Sequence, residues 1–225
     1  MKKVILRALF FFSHILILFT GCKQKEDNIF IVKALSINLM LANERISQNT
    51  NTMLQFFRNY SKNPKVSEKT NPALVKMEQV GKITAVTIAY LDQLKRILKI
   101  EAGLRLINLK ETFNERDYDA VKSIFNTKKE GIEVYKHLIK YQTSIQQISP
   151  ELFDFLKNPY YFFDFFSTPN QKLENEFTNI YFDKINTISA LAVIAKFEND
   201  VRIYENKAVR FFFEQVAVDL PVMAD

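Results

Sequence analysis

The chain has 225 residues, in which Lys and Arg outnumber Asp and Glu by 31 to 25. The net charge of +6 falls by three, to +3, if the basic residues of the first 21 positions are removed. That small charge, without a stripe of basic and aromatic residues, argues against a nucleic acid partner. Only four glycines and no tryptophan accompany 21 phenylalanines, a composition that favours a helical protein over a turn-rich β protein.

The first 22 residues predict a lipoprotein signal peptide at positions 1–21. Two lysines and an arginine precede an apolar run, and the small residues Thr20 and Gly21 lead directly to Cys22, which is the only cysteine. A basic start, a short apolar core and small residues before a cut are typical of a secretory signal. A cysteine at that place resembles a bacterial lipobox. We therefore expect cleavage before Cys22 and attachment to a membrane by lipid on its thiol.

Two other interpretations of this segment remain open. A membrane-spanning helix needs about 20 apolar residues, whereas this run is shorter and contains Arg7, Ser13 and His14. Cys22 could also be an ordinary cysteine behind a soluble secretory signal, since Phe19 stands where a lipobox usually has an aliphatic residue. With one cysteine the chain can form no intramolecular disulfide, so an apolar core must stabilise the fold.

A polar tether is predicted at residues 22–28, and a long helix follows it at about 29–61. Asn63-Pro64 ends this helix. Apolar residues spaced by three and four positions form a stripe along this helix, which an asparagine interrupts once. The stripe consists of Val32, Leu35, Leu39, Ala42, Ile46, Asn49, Met53, Phe56 and Tyr60.

A second long helix is predicted from Asn71 to Gly103. Asn71 is a suitable N-cap, Pro72 fits the first helical position, and Gly103 favours a stop. Its stripe repeats the spacing of the first helix, which predicts that the two helices pack as an antiparallel pair. The stripe consists of Met77, Val80, Thr84, Thr87, Leu91, Leu94 and Leu98.

Two further long helices are predicted at about 130–148 and 186–218, and Asp117 can cap a short helix before them. Four long helices with short connecting helices predict an all-α, up-and-down bundle that forms a single domain over residues 29–220.

An aromatic stretch lies between the third and fourth long helices. Its rings either close one end of the bundle core or form an exposed patch that docks a partner or a membrane surface, and both readings remain open. The candidate partner-binding residues are Tyr160, Tyr161, Phe162, Phe163, Phe165 and Phe166.

Two carboxylates, Glu198 and Glu205, fall in the apolar sector of the last helix, whereas Asn199 falls on its polar side. A buried charge needs a partner, so we expect this candidate buried polar pair to contact basic or polar residues of a neighbouring helix. The alternative is a pair of acids with raised pKa values that serve proton chemistry. Glu198, Asn199 and Asp200 can also be drawn as metal ligands, but no histidine supports such a site.

Nucleotide-binding, hydrolase and zinc-protease motifs are absent from the sequence. A Cys-His couple is also excluded, because the anchor uses the one cysteine. We therefore expect a protein without enzymatic activity that needs no cofactor or metal ion.

Three runs of the chain resemble the N-terminal periplasmic domain of the gliding-motility protein GldM, also called PorM. They are residues 43–51 before the Asn63-Pro64 break, residues 90–95, and residues 189–205 with the segment Asn199-Asp200-Val201-Arg202. The order of these elements agrees from about residue 30 to residue 218.

The resemblance implies a helical bundle of the type IX secretion and gliding apparatus of Bacteroidota. Its members are dimers that cross the inner membrane beside GldL, use the proton gradient and continue into β domains. Here a lipobox stands in place of the spanning helix and the chain ends at Asp225. We therefore expect a stand-alone lipoprotein that lacks the energy-harvesting step.

The resulting hypothesis is a lipid-anchored, non-enzymatic bundle that acts by protein contact, accessory to or paralogous with that apparatus. It would sit on the periplasmic face of the outer membrane, with a protein partner in the envelope and a homodimer as an open option. The alternative is a surface lipoprotein that binds an external ligand, because Lys25-Glu26-Asp27 resembles a surface-export signal.

Overall fold

A computed structural model describes residues 26–156 and 171–217, and it confirms the predicted all-α bundle. The helices of these residues are α1 (Glu26–Tyr60), α2 (Ser67–Glu101), α3 (Tyr118–Val121), α4 (Glu130–Gln146), α5 (Pro150–Leu156), α6 (Gln171–Phe182) and α7 (Thr187–Ala217). A π-helix (Lys122–Thr127) continues α3, and the strands β1 (Arg105–Ile107) and β2 (Lys110–Thr112) form a hairpin. None of the helices in the described ranges combines the length and apolar character that a bilayer crossing requires.

The long helices alternate in direction along the chain. Arg58 near the end of α1 pairs with Glu78 near the start of α2, as in an antiparallel hairpin. Gly131 on α4 lies against Thr178 on α6. Lys136, further along α4, pairs with the earlier α6 residue Glu174, so these helices are antiparallel as well. Periodicity did not predict the helix α6. This helix reverses the chain direction once more, and α7 consequently runs parallel to α1.

Helix α7 is the central helix of the bundle. It packs extensively against both α1 and α2, whereas the contact between α1 and α2 themselves is smaller. Residues 186–195 are all buried, because other elements cover this part of α7 on every side. The predicted antiparallel pair of α1 and α2 is therefore present, but both helices depend more on α7 than on each other.

The predicted stripe of α2 is confirmed, since all seven of its residues are buried. The predicted start of this helix is wrong. Helix α2 begins at Ser67, so Asn71 is not its N-cap and Pro72 lies inside it. The side chain of Asn63 accepts a hydrogen bond from the Lys65 amide at 3.0 Å, and the resulting turn starts the helix earlier. Pro72 removes one backbone hydrogen bond close to the helix start.

Two predicted terminators are confirmed. Gly103 ends α2 with a positive φ of 78°, and the Leu104 amide donates to the Lys99 carbonyl at 2.9 Å. Asp117 caps α3, because its carboxylate accepts from the Ala120 amide at 2.9 Å. Helix α1 begins at Glu26 rather than near Ile29.

The hairpin between α2 and α3 was not predicted. Its strands are antiparallel, with Ile107 opposite Lys110, and all of their residues are exposed. The turn residues Asn108 and Leu109 have φ values of 50° and 63°, the signs that a type I′ turn requires. Glycine usually takes the second position, where a residue such as leucine costs about 1–2 kcal/mol.

We expect Gly103→Ala to lower the free energy of unfolding by about 1 kcal/mol, measured by chemical denaturation, because alanine resists a left-handed backbone. A control is Gly81→Ala, inside α2. Apart from the adjacent residues and the backbone of the helix itself, no atom lies within 4 Å of an added methyl at either position, so the two sites differ in backbone conformation. The control should be stabilised by about 0.5–1 kcal/mol. Equal effects of the two substitutions would contradict this assignment.

Candidate functional site: buried carboxylates and exposed apolar surfaces

Some of the candidate residues lie outside the described ranges. Cys22 precedes residue 26, and the six aromatic residues from Tyr160 to Phe166 lie between residues 156 and 171. Their proposed roles therefore stay predictions. The candidate carboxylates Glu198 and Glu205 both lie on α7 and are described below.

Glu198 is largely buried and pairs with Lys95 of the neighbouring helix α2. The Lys95 Nζ lies 2.8 Å from Glu198 Oε2 and 2.6 Å from Asp92 Oδ1. Burial alone would lower the pKa of Lys95, but hydrogen bonds to Asp92 and Glu198 outweigh burial and raise this pKa overall. Glu198 thus joins α7 to α2 through a shared, charged lysine.

Glu205 is only 6% exposed, and its cation comes from its own helix. Arg202 Nη1 lies 3.2 Å from Glu205 Oε2, one helical turn earlier. Burial raises the pKa of Glu205, and the charge and hydrogen bond of Arg202 offset this rise only in part. Glu205 therefore carries a desolvation cost that its ion pair does not fully cancel.

The geometry does not bring Glu198 and Glu205 together as an acid–base pair. Seven residues of α-helix separate them by about 10 Å along the axis, and each contacts a different cation. Two surface cavities of the described residues lie elsewhere, one beside Ser61 and the other beside Lys184.

The three consecutive residues that could be drawn as metal ligands diverge around α7. Glu198 contacts Lys95, Asn199 contacts Asn43 on α1, and Asp200 pairs with Lys196 on the same helix. Burial raises the pKa of Asp200, and Lys196 counteracts that rise. Among the residues that the structure describes, no group of His, Cys, Asp or Glu has the arrangement of a metal site.

The structure contains a polar contact between α1 and α7 that helical periodicity did not predict. Asn199 Nδ2 donates to Asn43 Oδ1 at 2.8 Å, and Asn206 Nδ2 donates to Thr50 Oγ1 at 2.9 Å. Both pairs are 156 positions apart and seven residues apart on each helix, which requires parallel helices in one register. We call Asn43, Thr50, Asn199 and Asn206 the polar ladder.

The polar ladder corrects two sequence predictions. Asn199 was assigned to the solvent side of the last helix, but it faces α1, because α7 has neighbours on several sides. The predicted stripe of α1 is one position off from its centre to its end, where the predicted Phe56 is 51% exposed and Phe57 is fully buried. Thr50 is 1% exposed, whereas Asn49 is exposed. The repeat of polar residues every seven positions was the available signal.

Helix α1 also has an apolar side that faces solvent. Phe30, Ile37 and Leu41 lie opposite the side that carries Val32 and Asn43 toward the bundle, and Leu41 is 45% exposed. We call Phe30, Ile37 and Leu41 the outer face of α1. A contiguous exposed apolar side of a helix is typical of a contact surface.

The chain matches a known protein family. The model of the GldM N-terminal domain matches residues 33–215, which extend from α1 into α7 and cover most of the chain. No curated protein matches the chain.

We expect Glu198→Gln and Glu205→Gln to change stability in opposite directions near pH 7. Glu198→Gln should lower the free energy of unfolding by about 1 kcal/mol, because Lys95 loses a partly buried carboxylate. Glu205→Gln should raise it, because the folded chain no longer buries that charge. Denaturant titration of both variants measures the two effects.

The sign for Glu205 follows from proton linkage. The pKa of Glu205 is higher in the folded chain than in the unfolded chain. Protonation of Glu205 therefore stabilises the folded chain at low pH, and this stability is lost as the pH rises from the unfolded pKa through the folded pKa. The gain from Glu205→Gln should therefore shrink when the pH falls below about 4, the ordinary range of a glutamate. A constant gain at both pH values would contradict the assigned cause.

Proposed function

The chain belongs to the family of GldM N-terminal domains, and we propose that it is a lipid-anchored, non-enzymatic bundle that acts by contact with other envelope proteins. The family match over residues 33–215 is the observation that carries this proposal. Membership links the chain to gliding motility and type IX secretion. We propose an accessory or paralogous role beside that apparatus, with the domain on the periplasmic face of the outer membrane.

The proposed anchor is the lipid on Cys22. The sequence supports it through the basic start, the short apolar run and the small residues before the only cysteine. Cys22 precedes the first residue of α1, Glu26, by four positions. An acylated Cys22 would therefore hold the start of α1 close to the membrane surface.

The proposed contact surface is the outer face of α1. Ile37 and Leu41 are the exposed apolar residues of this face that lie two to three turns beyond its first member, Phe30, and they would contact the partner. Burial of such residues against a partner helix would contribute to binding through the hydrophobic effect. A second copy on the same membrane would present a parallel α1 at high local concentration, which favours a homodimer among the possible contacts.

The anchor is tested by growing cells with a fatty acid that carries a clickable alkyne. We expect the native chain to be labelled and Cys22→Ala to remain unlabelled, because the substitution removes the thiol that accepts the lipid. Lys23→Ala, next to the site, is the control and should be labelled like the native chain. Label on Cys22→Ala, or none on the native chain, would rule out this anchor.

The contact surface is tested by a photo-reactive amino acid placed at Leu41 in intact cells. We expect a crosslinked product of about twice the chain's mass for a homodimer, or a product that contains a gliding or secretion component. The control position is Val86 of α2, which is 67% exposed but does not belong to the outer face.

A functional measurement accompanies the crosslinking. Leu41→Asp should reduce secretion of type IX cargo, because a charge on the outer face opposes burial against a partner, whereas Val86→Asp should not. Both variants should accumulate to the native level. Equal crosslinking from Leu41 and Val86, together with normal secretion by Leu41→Asp, would contradict the proposed surface.

A further inference from the structure

We propose that the β1–β2 hairpin and the first turns of α1 contact a phospholipid surface with anionic headgroups. This inference rests on the proposed lipid anchor, because the surface would be the membrane that holds Cys22. It adds a second, non-covalent contact that would orient the bundle on that membrane.

The hairpin exposes apolar side chains that the bundle does not cover. Leu106, Ile107 and Leu109 are 68%, 54% and 91% exposed. A two-stranded hairpin without a covered face gains little stability in water, so these side chains do not serve the hairpin by packing within the described residues. Immersion in the interface of a bilayer would remove them from water without requiring a pocket.

Apolar side chains of α1 lie at the same end of the bundle. Phe30 and Ile31 are 77% and 57% exposed in the first turns of the helix. Lys33 Nζ lies 2.6 Å from Glu115 Oε1, which connects these turns to the segment that follows the hairpin. The hairpin itself begins four residues after α2 ends at Glu101.

The end of the bundle that carries the hairpin and the first turns of α1 lies close to Cys22, and this position favours a lipid surface as its contact partner. Glu26 follows Cys22 by four positions, and an extended chain of that length spans at most roughly 14 Å. Glu26 lies about 10 Å along the α1 axis from Lys33. An acylated Cys22 would thus keep both apolar groups within a short distance of the bilayer.

The charges of the hairpin complement anionic headgroups. Arg105 and Lys110 flank the apolar residues, and within the described part of the chain neither has an ion-pair partner. The one acidic residue of the strands, Glu111, lies 2.7 Å from Lys99 Nζ and is thereby compensated. The uncompensated charge of the hairpin is therefore positive, and cations beside exposed apolar residues are typical of segments that bind anionic membranes.

The turn retains a leucine at a position that disfavours it. Leu109 has a φ of 63°, where glycine would be free of strain. Strained backbone positions cluster at functional sites such as ligand contacts. Leu109 places an exposed apolar side chain at the tip of the hairpin despite this strain.

Because the chain contains no tryptophan, one introduced tryptophan reports on one position. The acylated full chain with Leu109→Trp is bound to vesicles of phosphatidylethanolamine and phosphatidylglycerol, with plain or brominated acyl chains. We expect about two-fold quenching by the brominated lipid, because interfacial side chains reach about 5–10 Å into the bilayer, where bromines lie. Leu106→Trp is a second reporter, to be used if Leu109→Trp does not fold.

The matched control is Val75→Trp, which is 63% exposed on α2, about 40 Å along the helix from its hairpin end. It should show no quenching. Vesicles that carry the protein but leave Leu109→Trp unquenched would overturn the hairpin contact and leave the anchor intact. A blue-shifted but unquenched emission would indicate a protein neighbour and also count against it. Protein that does not float with vesicles would overturn the anchor and this inference together.

A substitution at the tip distinguishes lipid contact from a role in folding. Leu109→Gly removes the backbone strain, so the chain should unfold at an equal or higher denaturant concentration. In the same variant, the Leu106→Trp reporter should lose most of its quenching, because the apolar tip is gone. Unchanged quenching would overturn the proposed role of Leu109.

Discussion

The hydrogen bonds of the polar ladder are the constraint on which the arrangement of the bundle depends. Asn43 and Thr50 are almost fully buried, and α7 supplies the partners that satisfy them. If α7 moved by one residue along α1, the buried amide of Asn43 and the buried hydroxyl of Thr50 would lose these partners, at a cost of about 1–3 kcal/mol each. The ladder thus favours one register, and the apolar residues of α2, α4 and α6 pack around α7 in that register.

Periodicity predicted the four long helices, because each has a neighbour that buries a stripe, but it did not predict α6. It failed where a helix has several neighbours, as at Asn199, which is polar and yet faces α1. The hairpin escaped prediction because its strands are short and exposed on both faces. The start of α2 was misplaced because Asn71-Pro72 is a good local signal, whereas the turn made by Asn63 begins the helix first.

For the candidate carboxylates, the sequence predicted their burial but not the residues that they contact. The helical pattern of α7 was sufficient to predict that Glu198 and Glu205 approach the core. The partner of Glu198 could not be predicted, because Lys95 is 103 positions away. Glu205 was expected to contact a neighbouring helix, but its cation is Arg202, three residues earlier on α7. One carboxylate consequently joins two helices, and the other remains a buried charge with a local cation. The anchor at Cys22 and the aromatic stretch remain predictions from the sequence.

The parallel alignment of α1 and α7 has a mechanical consequence. The start of α1 lies at one end of the bundle, and the end of α7 lies at the other. A pulling force applied between these two points would act along the shared axis of the helices. The ladder contacts and the Phe57–Phe213 ring contact would then bear the load together, in shear. Contacts in shear must break together rather than one after another, so the bundle would resist such a force more strongly than if the same contacts opened in sequence.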